Sequence, residues 1–211
     1  MKQHVLFVDD DPSFLEGLRR MLHNHRGRWD MTFVTTVDEA VECVDSRTVD
    51  TIVSDVMLPG RNGFDLLRAV MASSASNHVP VIMMTGADQR DLKRRALDEG
   101  ATDLLSKPID PNDLTARIRS ALRLKTYQDE IRGQSEVLER KVMERTQALN
   151  ASRLDLIWRL GRIAESRDEQ TGNHVVRVGS YCRVMAEALG MGRDVADMIC
   201  FTSPLHDIGK I

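Results

Sequence analysis

The chain has 211 residues, 42% hydrophobic and 29% charged, which is enough apolar side chain for a buried core in one or two small domains. A net charge of −3 and an aromatic content of only 4% speak against both a basic phosphate-tracking face and a base-stacking platform, so no DNA partner is expected. No apolar run reaches the roughly 18 residues a membrane span needs, no signal peptide precedes Asp9, and Cys43, Cys182 and Cys200 form no close pair, so a cytoplasmic protein with reduced thiols is expected.

Up to about residue 122, short apolar runs alternate with amphipathic stretches. The runs at 4–8, 31–35, 51–54, 79–84 and 103–105 predict strands; the stretches at 13–25, 37–45, 62–73, 88–99 and 111–124 predict helices. Pro12, Pro59 and Pro108 fall just after strands, where loops are expected. This alternation predicts an α/β fold with a doubly wound, five-stranded parallel sheet, helices on both faces and a site at the carboxyl ends of the strands.

From 123 to 160 the texture changes to dense mixed charge without proline. Leu124, Ile131, Leu138, Val142, Leu149, Leu156 and Ile163 recur at steps of seven and four, with Gln128, Ser135, Arg145 and Ser152 interrupting the seam. That spacing predicts a long coiled-coil helix, read as a parallel homodimer, with a solvated helical spacer as the alternative. Residues 161–211 predict an all-α fragment: a loop over 166–173, helices over 174–189 and 194–201, and a turn at Gly190-Met191-Gly192 between them.

Asp9 and Asp10 directly follow the first strand, and Asp55 follows the third. Parallel strands carry all three carboxylates to one edge, where they repel one another unless a cation sits among them; hard oxygen donors suit Mg²⁺. A metal there would neutralise an incoming phosphoryl group while an Asp55 oxygen attacks phosphorus. Thr85 and Lys107 end later strands on the same edge and supply a hydroxyl and an ammonium for the phosphoryl oxygens; Pro108 fits a tight turn behind the lysine.

The segments Val8-Asp9-Asp10-Asp11-Pro12, Ser54-Asp55-Val56-Met57-Leu58-Pro59-Gly60, Met84-Thr85-Gly86-Ala87 and Ser106-Lys107-Pro108 closely resemble the response-regulator receiver family. The resemblance covers residues 1–122 and implies a flavodoxin-like receiver in which Asp55 accepts a phosphoryl group from a sensor histidine kinase. It also implies Mg²⁺ held by Asp10, Asp55 and the backbone carbonyl of Met57, with Asp9 acting through water, and it matches Gly63 to a small residue closing the loop after the phosphoacceptor. Leu104 stands where receivers usually carry an aromatic switch residue, which weakens the expected coupling rather than the phosphotransfer.

Farther on, His206 and Asp207 are adjacent and His174 lies 32 residues earlier. Imidazole and carboxylate together bind first-row divalent metals that activate water for phosphoester hydrolysis, whereas the tripeptide Leu205-His206-Asp207 alone reads as well as a helix start. The segments Ser166-Arg167-Asp168, Thr171-Gly172-Asn173-His174, Arg177-Val178 and Tyr181, with 203–211, resemble the opening of an HD-GYP domain, a family of metal-dependent phosphodiesterases of which many linearise cyclic di-GMP. The resemblance implies His174, His206 and Asp207 as ligands of a divalent transition metal (Fe or Mn) and Lys210 as a contact to a substrate phosphate. Gln170 replaces a glutamate found in some members, with Glu169 out of register, so two metals rather than three are expected. The remaining ligands and the Gly-Tyr-Pro signature would lie beyond Ile211, so these residues are expected to be part of a longer protein and to lack hydrolase activity alone.

Two functions follow: a response regulator that controls a cyclic di-GMP phosphodiesterase in the full-length protein, or a non-enzymatic regulator in which phosphorylation drives dimerisation or partner docking. A DNA-binding regulator is disfavoured, since no helix-turn-helix or basic face follows residue 122.

Overall fold

The computed structural model describes residues 2–73, 78–86, 90–165 and 174–206. The chain divides into two compact units, Met1–Gln134 and Ser135–Ile211. Among the described residues no helix is long and apolar enough to cross a membrane.

In the first unit, strands β1 (Gln3–Val8), β2 (Trp29–Val34), β3 (Thr51–Asp55), β4 (Val81–Gly86) and β5 (Asp103–Lys107) alternate with helices α1 (Pro12–Met21), α2 (Val37–Ser46), α3 (Gly63–Ala72) and α4 (Arg90–Asp98). The sheet is parallel throughout, in the order β2-β1-β3-β4-β5. Three of the strands, β1, β3 and β4, lie inside this order and carry the most continuously buried runs, as expected where helices cover both faces.

The strand period of two sorts each strand's side chains between two cores. Leu6, Val8 and Ile52 pack on one face with Ala40 of α2, Leu66, Leu67 and Val70 of α3, and Ala96 of α4. Val5, Phe7, Val53, Ile82 and Met84 pack on the other with Leu15 and Leu18 of α1 and with Leu114, Ile118 and Leu122 of the next helix, α5 (Pro111–Glu165).

Local signals set the helix starts. Asp11 caps α1, its carboxylate accepting from the Ser13 N–H at 2.8 Å, and Pro12 occupies the first turn, where a missing N–H costs nothing. This places Pro12 inside the helix rather than in the loop the sequence suggests. Thr36 caps α2, and Asn62 with Asp65 closes a reciprocal capping box at α3. The helix expected over 13–25 stops at Met21: Leu22 is fully buried, and a 3₁₀ turn, His23–His25, follows, with His25 stacked on Trp29 at 4.6 Å.

Helix α5 does not end near residue 124; it runs for 55 residues through the boundary between the units. Its apolar repeat positions lie on the surface, with Ile131, Leu138, Val142, Leu149, Leu156 and Ile163 all more than half exposed. In the second unit, α6 (His174–Ala188) packs on α7 (Arg193–Thr202), followed by a 3₁₀ turn, Ser203–Leu205. A Cβ on Gly179 of α6 would stand 2.7 Å from the Cys200 carbonyl oxygen, so glycine permits this close helix contact. The Arg183 guanidinium pairs with Asp197 at 2.8 Å across the same contact. Between the helices Gly190 takes φ +73°, the left-handed conformation that glycine adopts without strain. The loop expected over 166–173 lies outside the described residues. All three cysteines are free.

Candidate functional site

The carboxyl ends of β1, β3, β4 and β5 bring together the residues singled out in the first unit. Asp9 and Asp10 follow β1, Asp55 ends β3, Thr85 lies in the penultimate position of β4, and Lys107 ends β5. Asp9, Asp55 and Thr85 are buried, whereas Asp10 sits exposed at the rim. One carboxylate oxygen from each of Asp9, Asp10 and Asp55 lies within 4.8 Å of the others.

Lys107 organises this pocket. Its Nζ donates to Asp9 Oδ2 at 2.7 Å and to Asp55 Oδ2 at 2.5 Å, and it stands 4.4 Å from the centroid of the Phe14 ring. The peptide that follows Lys107 is cis. Burial disfavours the ammonium, yet hydrogen bonds and charge from Asp55 and Asp9 outweigh it and raise the Lys107 pKa above its ordinary value. Burial pushes the Asp9 carboxyl up, against the opposing hydrogen bonds from Lys107 and from the Asp11 N–H. The pocket therefore holds a fixed cation against two buried carboxylates, with a third at its mouth.

Backbone geometry supports the Asp55 side chain. The Met57 N–H donates to Asp55 Oδ1 at 3.2 Å, so that peptide lies beside the carboxylate, while the Met57 side chain is exposed. The Thr85 hydroxyl donates to the Gly86 carbonyl at 3.4 Å. Gly63, at the start of α3, is held against the strand end: a Cβ there would meet the Asp55 carbonyl oxygen at 2.2 Å and the Val56 Cα at 3.0 Å. Replacing Gly63 with alanine is therefore expected to lower stability by about 1–3 kcal/mol or more through overpacking, measured as a reduced urea midpoint. An unchanged midpoint would show that the loop relaxes freely. Leu104 is partly buried and packs against the core formed with α2, α3 and α4.

The three carboxylates fit a hard divalent cation, since they offer converging oxygen donors with one open side. Phe14 is a member of this site that sequence reasoning missed. No periodicity or motif distinguishes it from other apolar positions of α1, and only the tertiary structure, which sets its ring against the Lys107 ammonium, reveals the cation–π contact.

In the second unit the His174 and His206 rings approach edge-on, with centroids 6.0 Å apart. His206 Nδ1 is 2.8 Å from the Ser203 carbonyl oxygen. Asp207 and Lys210, and also Glu169 and Gln170, lie outside the described residues.

Residues 5–119 match the response regulator receiver domain family. Over 208 residues the chain is 26% identical to the cyclic di-GMP phosphodiesterase response regulator RpfG of Xanthomonas campestris, covering 99% of this chain and 55% of that protein. It is 29% identical over 214 residues to a cyclic di-GMP phosphodiesterase of Thermotoga maritima, covering 98% and 56%. The chain thus spans about half the length of the curated relatives it matches. Among solved structures, the receiver domain of an HD domain-containing protein from Pseudomonas fluorescens superposes with a TM-score of 0.56 at 27% identity, covering 61% of this chain and 93% of that one. With its parallel five-stranded sheet and its acidic pocket at the strand ends, the chain belongs to the response regulator receiver domain family.

Proposed function

We propose that this chain is the signal-accepting part of a phosphorelay response regulator, with residues 1–122 as receiver, 123–160 as a coiled-coil linker and 161–211 as the start of an HD-GYP-type output domain. The observation that carries the reading is the Lys107 ammonium shared between Asp55, the phosphoacceptor, and Asp9, its acidic neighbour, at the strand ends. An Asp55 oxygen attacks the phosphorus carried on a histidine of a sensor kinase, the P–N bond breaks, and the imidazole leaves. Lys107, already charged and fixed, meets one phosphoryl oxygen, and the Thr85 hydroxyl turns to donate to another. Asp10, Asp55 and the Met57 carbonyl would hold Mg²⁺, with Asp9 contributing through water, and the ion would supply positive charge against the phosphoryl oxygens.

In the whole protein the acyl phosphate biases a homodimer formed through α5, and that bias regulates hydrolysis of cyclic di-GMP in the cytoplasm. Relatives named as cyclic di-GMP phosphodiesterases align over nearly all of this chain, which favours that output over a docking module. The approach of His174 and His206 supports a metal site that Asp207 would share, with iron or manganese supplying a Lewis acid and Lys210 contacting the substrate phosphate. The test is hydrolysis of cyclic di-GMP by the full-length protein, with and without phosphorylation, alongside His206→Ala. Hydrolysis that depends on His206 and changes with phosphorylation is the expected result; a full-length protein that leaves cyclic di-GMP intact would overturn the output assignment.

A further inference from the structure

The amino ends of the strands, on the sheet edge away from Asp55, border an open cleft of about 430 Å³. Its walls carry three guanidiniums. Arg28 comes from the loop ahead of β2, and Arg119 and Arg123 come from successive turns of one face of α5. No aspartate or glutamate lines the cleft, and none of the three arginines forms an ion pair among the described residues. The floor is apolar, formed by Trp29 and Leu122, which are 4% and 2% exposed. His25 also lines it, partly exposed and with its ring stacked on Trp29, so that it offers an aromatic ring to the cleft.

Three cations around one open cleft with no acidic residue lining it favour an anion, which would gain attraction from each of them. Guanidiniums favour the paired oxygens of phosphate groups. Three of them spread over two walls suit more than one phosphate, and a partly buried imidazole beside an apolar floor suits a planar ring. The volume falls within the range of small-ligand sites. We propose that this cleft binds a nucleotide carrying at least two phosphate groups, the phosphates held by Arg28, Arg119 and Arg123 and the base laid on His25. Because Arg119 and Arg123 belong to α5, such a ligand ties the root of that helix to the loop ahead of β2, at a place separate from the phosphoacceptor pocket.

Isothermal titration of the 211-residue protein with GDP, guanosine and pyrophosphate, in a metal-free buffer of low ionic strength, tests this. One GDP is expected to bind per chain, more weakly as salt rises. Guanosine should not bind, and pyrophosphate should bind about tenfold or more weakly than GDP for want of a stacking ring. Arg119→Ala with Arg123→Ala should weaken GDP roughly a hundredfold and Arg28→Ala about tenfold, as expected for lost charge-assisted hydrogen bonds. All three side chains are exposed, so the variants should melt as the wild type does, and Asp55→Asn should bind GDP normally. The proposal is overturned by the absence of saturable GDP binding, by pyrophosphate binding as tightly as GDP, or by GDP affinity that survives the arginine substitutions.

Discussion

Asp55→Asn is expected to abolish labelling of the protein by acetyl phosphate or phosphoramidate. The amide keeps the size and placement of the carboxylate at the end of β3 but has no anionic oxygen to attack phosphorus, and its NH₂ end would point a donor at the Lys107 ammonium. Losing an essential nucleophile typically costs on the order of 10⁴-fold or more in rate, which would take labelling below detection. The fold should survive, because Lys107 retains Asp9 as a partner at 2.7 Å. Chelating divalent metal should suppress labelling of the wild type as well, since three converging carboxylates would otherwise repel the phosphodonor. Labelling of Asp55→Asn at the wild-type rate would place the phosphoacceptor elsewhere. Asp9→Asn is the informative companion: it removes a buried carboxylate whose burial already raises its pKa, while leaving the nucleophile intact. That variant should label slowly rather than not at all.

The second large effect is expected on assembly. Leu138 and Val142 lie in the middle of the α5 repeat and are 62% and 57% exposed, so glutamate at both positions should leave the single chain folded. In a two-stranded coiled coil these side chains are seam positions, and four of them are removed per dimer. At about 1.5 kcal/mol each, the low end for burying such a side chain, the loss is roughly 6 kcal/mol, or about four decades in Kd, before any repulsion between the new carboxylates. Sedimentation should show a wild-type dimer and a monomeric variant at micromolar concentration. A variant that sediments as the wild type does would refute the seam. A wild type that is itself monomeric would make α5 a solvated spacer, for which the mixed-charge faces and pairs such as Arg159–Asp155 at 2.8 Å would be the stabilising features.

The amino-acid sequence alone determined the receiver fold and its pocket, because both are written in local patterns. Apolar runs such as Val5–Val8 and the segment ending in Asp55 are recognisable as buried parallel strands, and parallel pairing sends every carboxyl end to one edge. Asp9, Asp10, Asp55, Thr85 and Lys107 could therefore be placed together without knowing how the helices pack. The end of α1 was less legible: the pattern continues to His25, but burial of Leu22 and the stacking of His25 on Trp29 tighten the last turn. A long helix past residue 122 was legible in the sequence, but its continuity with the last receiver helix was not, since the composition changes there while the backbone keeps one helical path.

What only the tertiary structure decided are the contacts between segments distant in the chain. Phe14 comes beneath Lys107 across 93 positions because α1 and β5 meet at one corner of the pocket. Arg28 faces Arg119 and Arg123 because Ile118 and Leu122 anchor α5 on the same face of the sheet that Trp29 helps to bury. Such proximities depend on how whole elements pack, which no periodicity of two or 3.6 encodes.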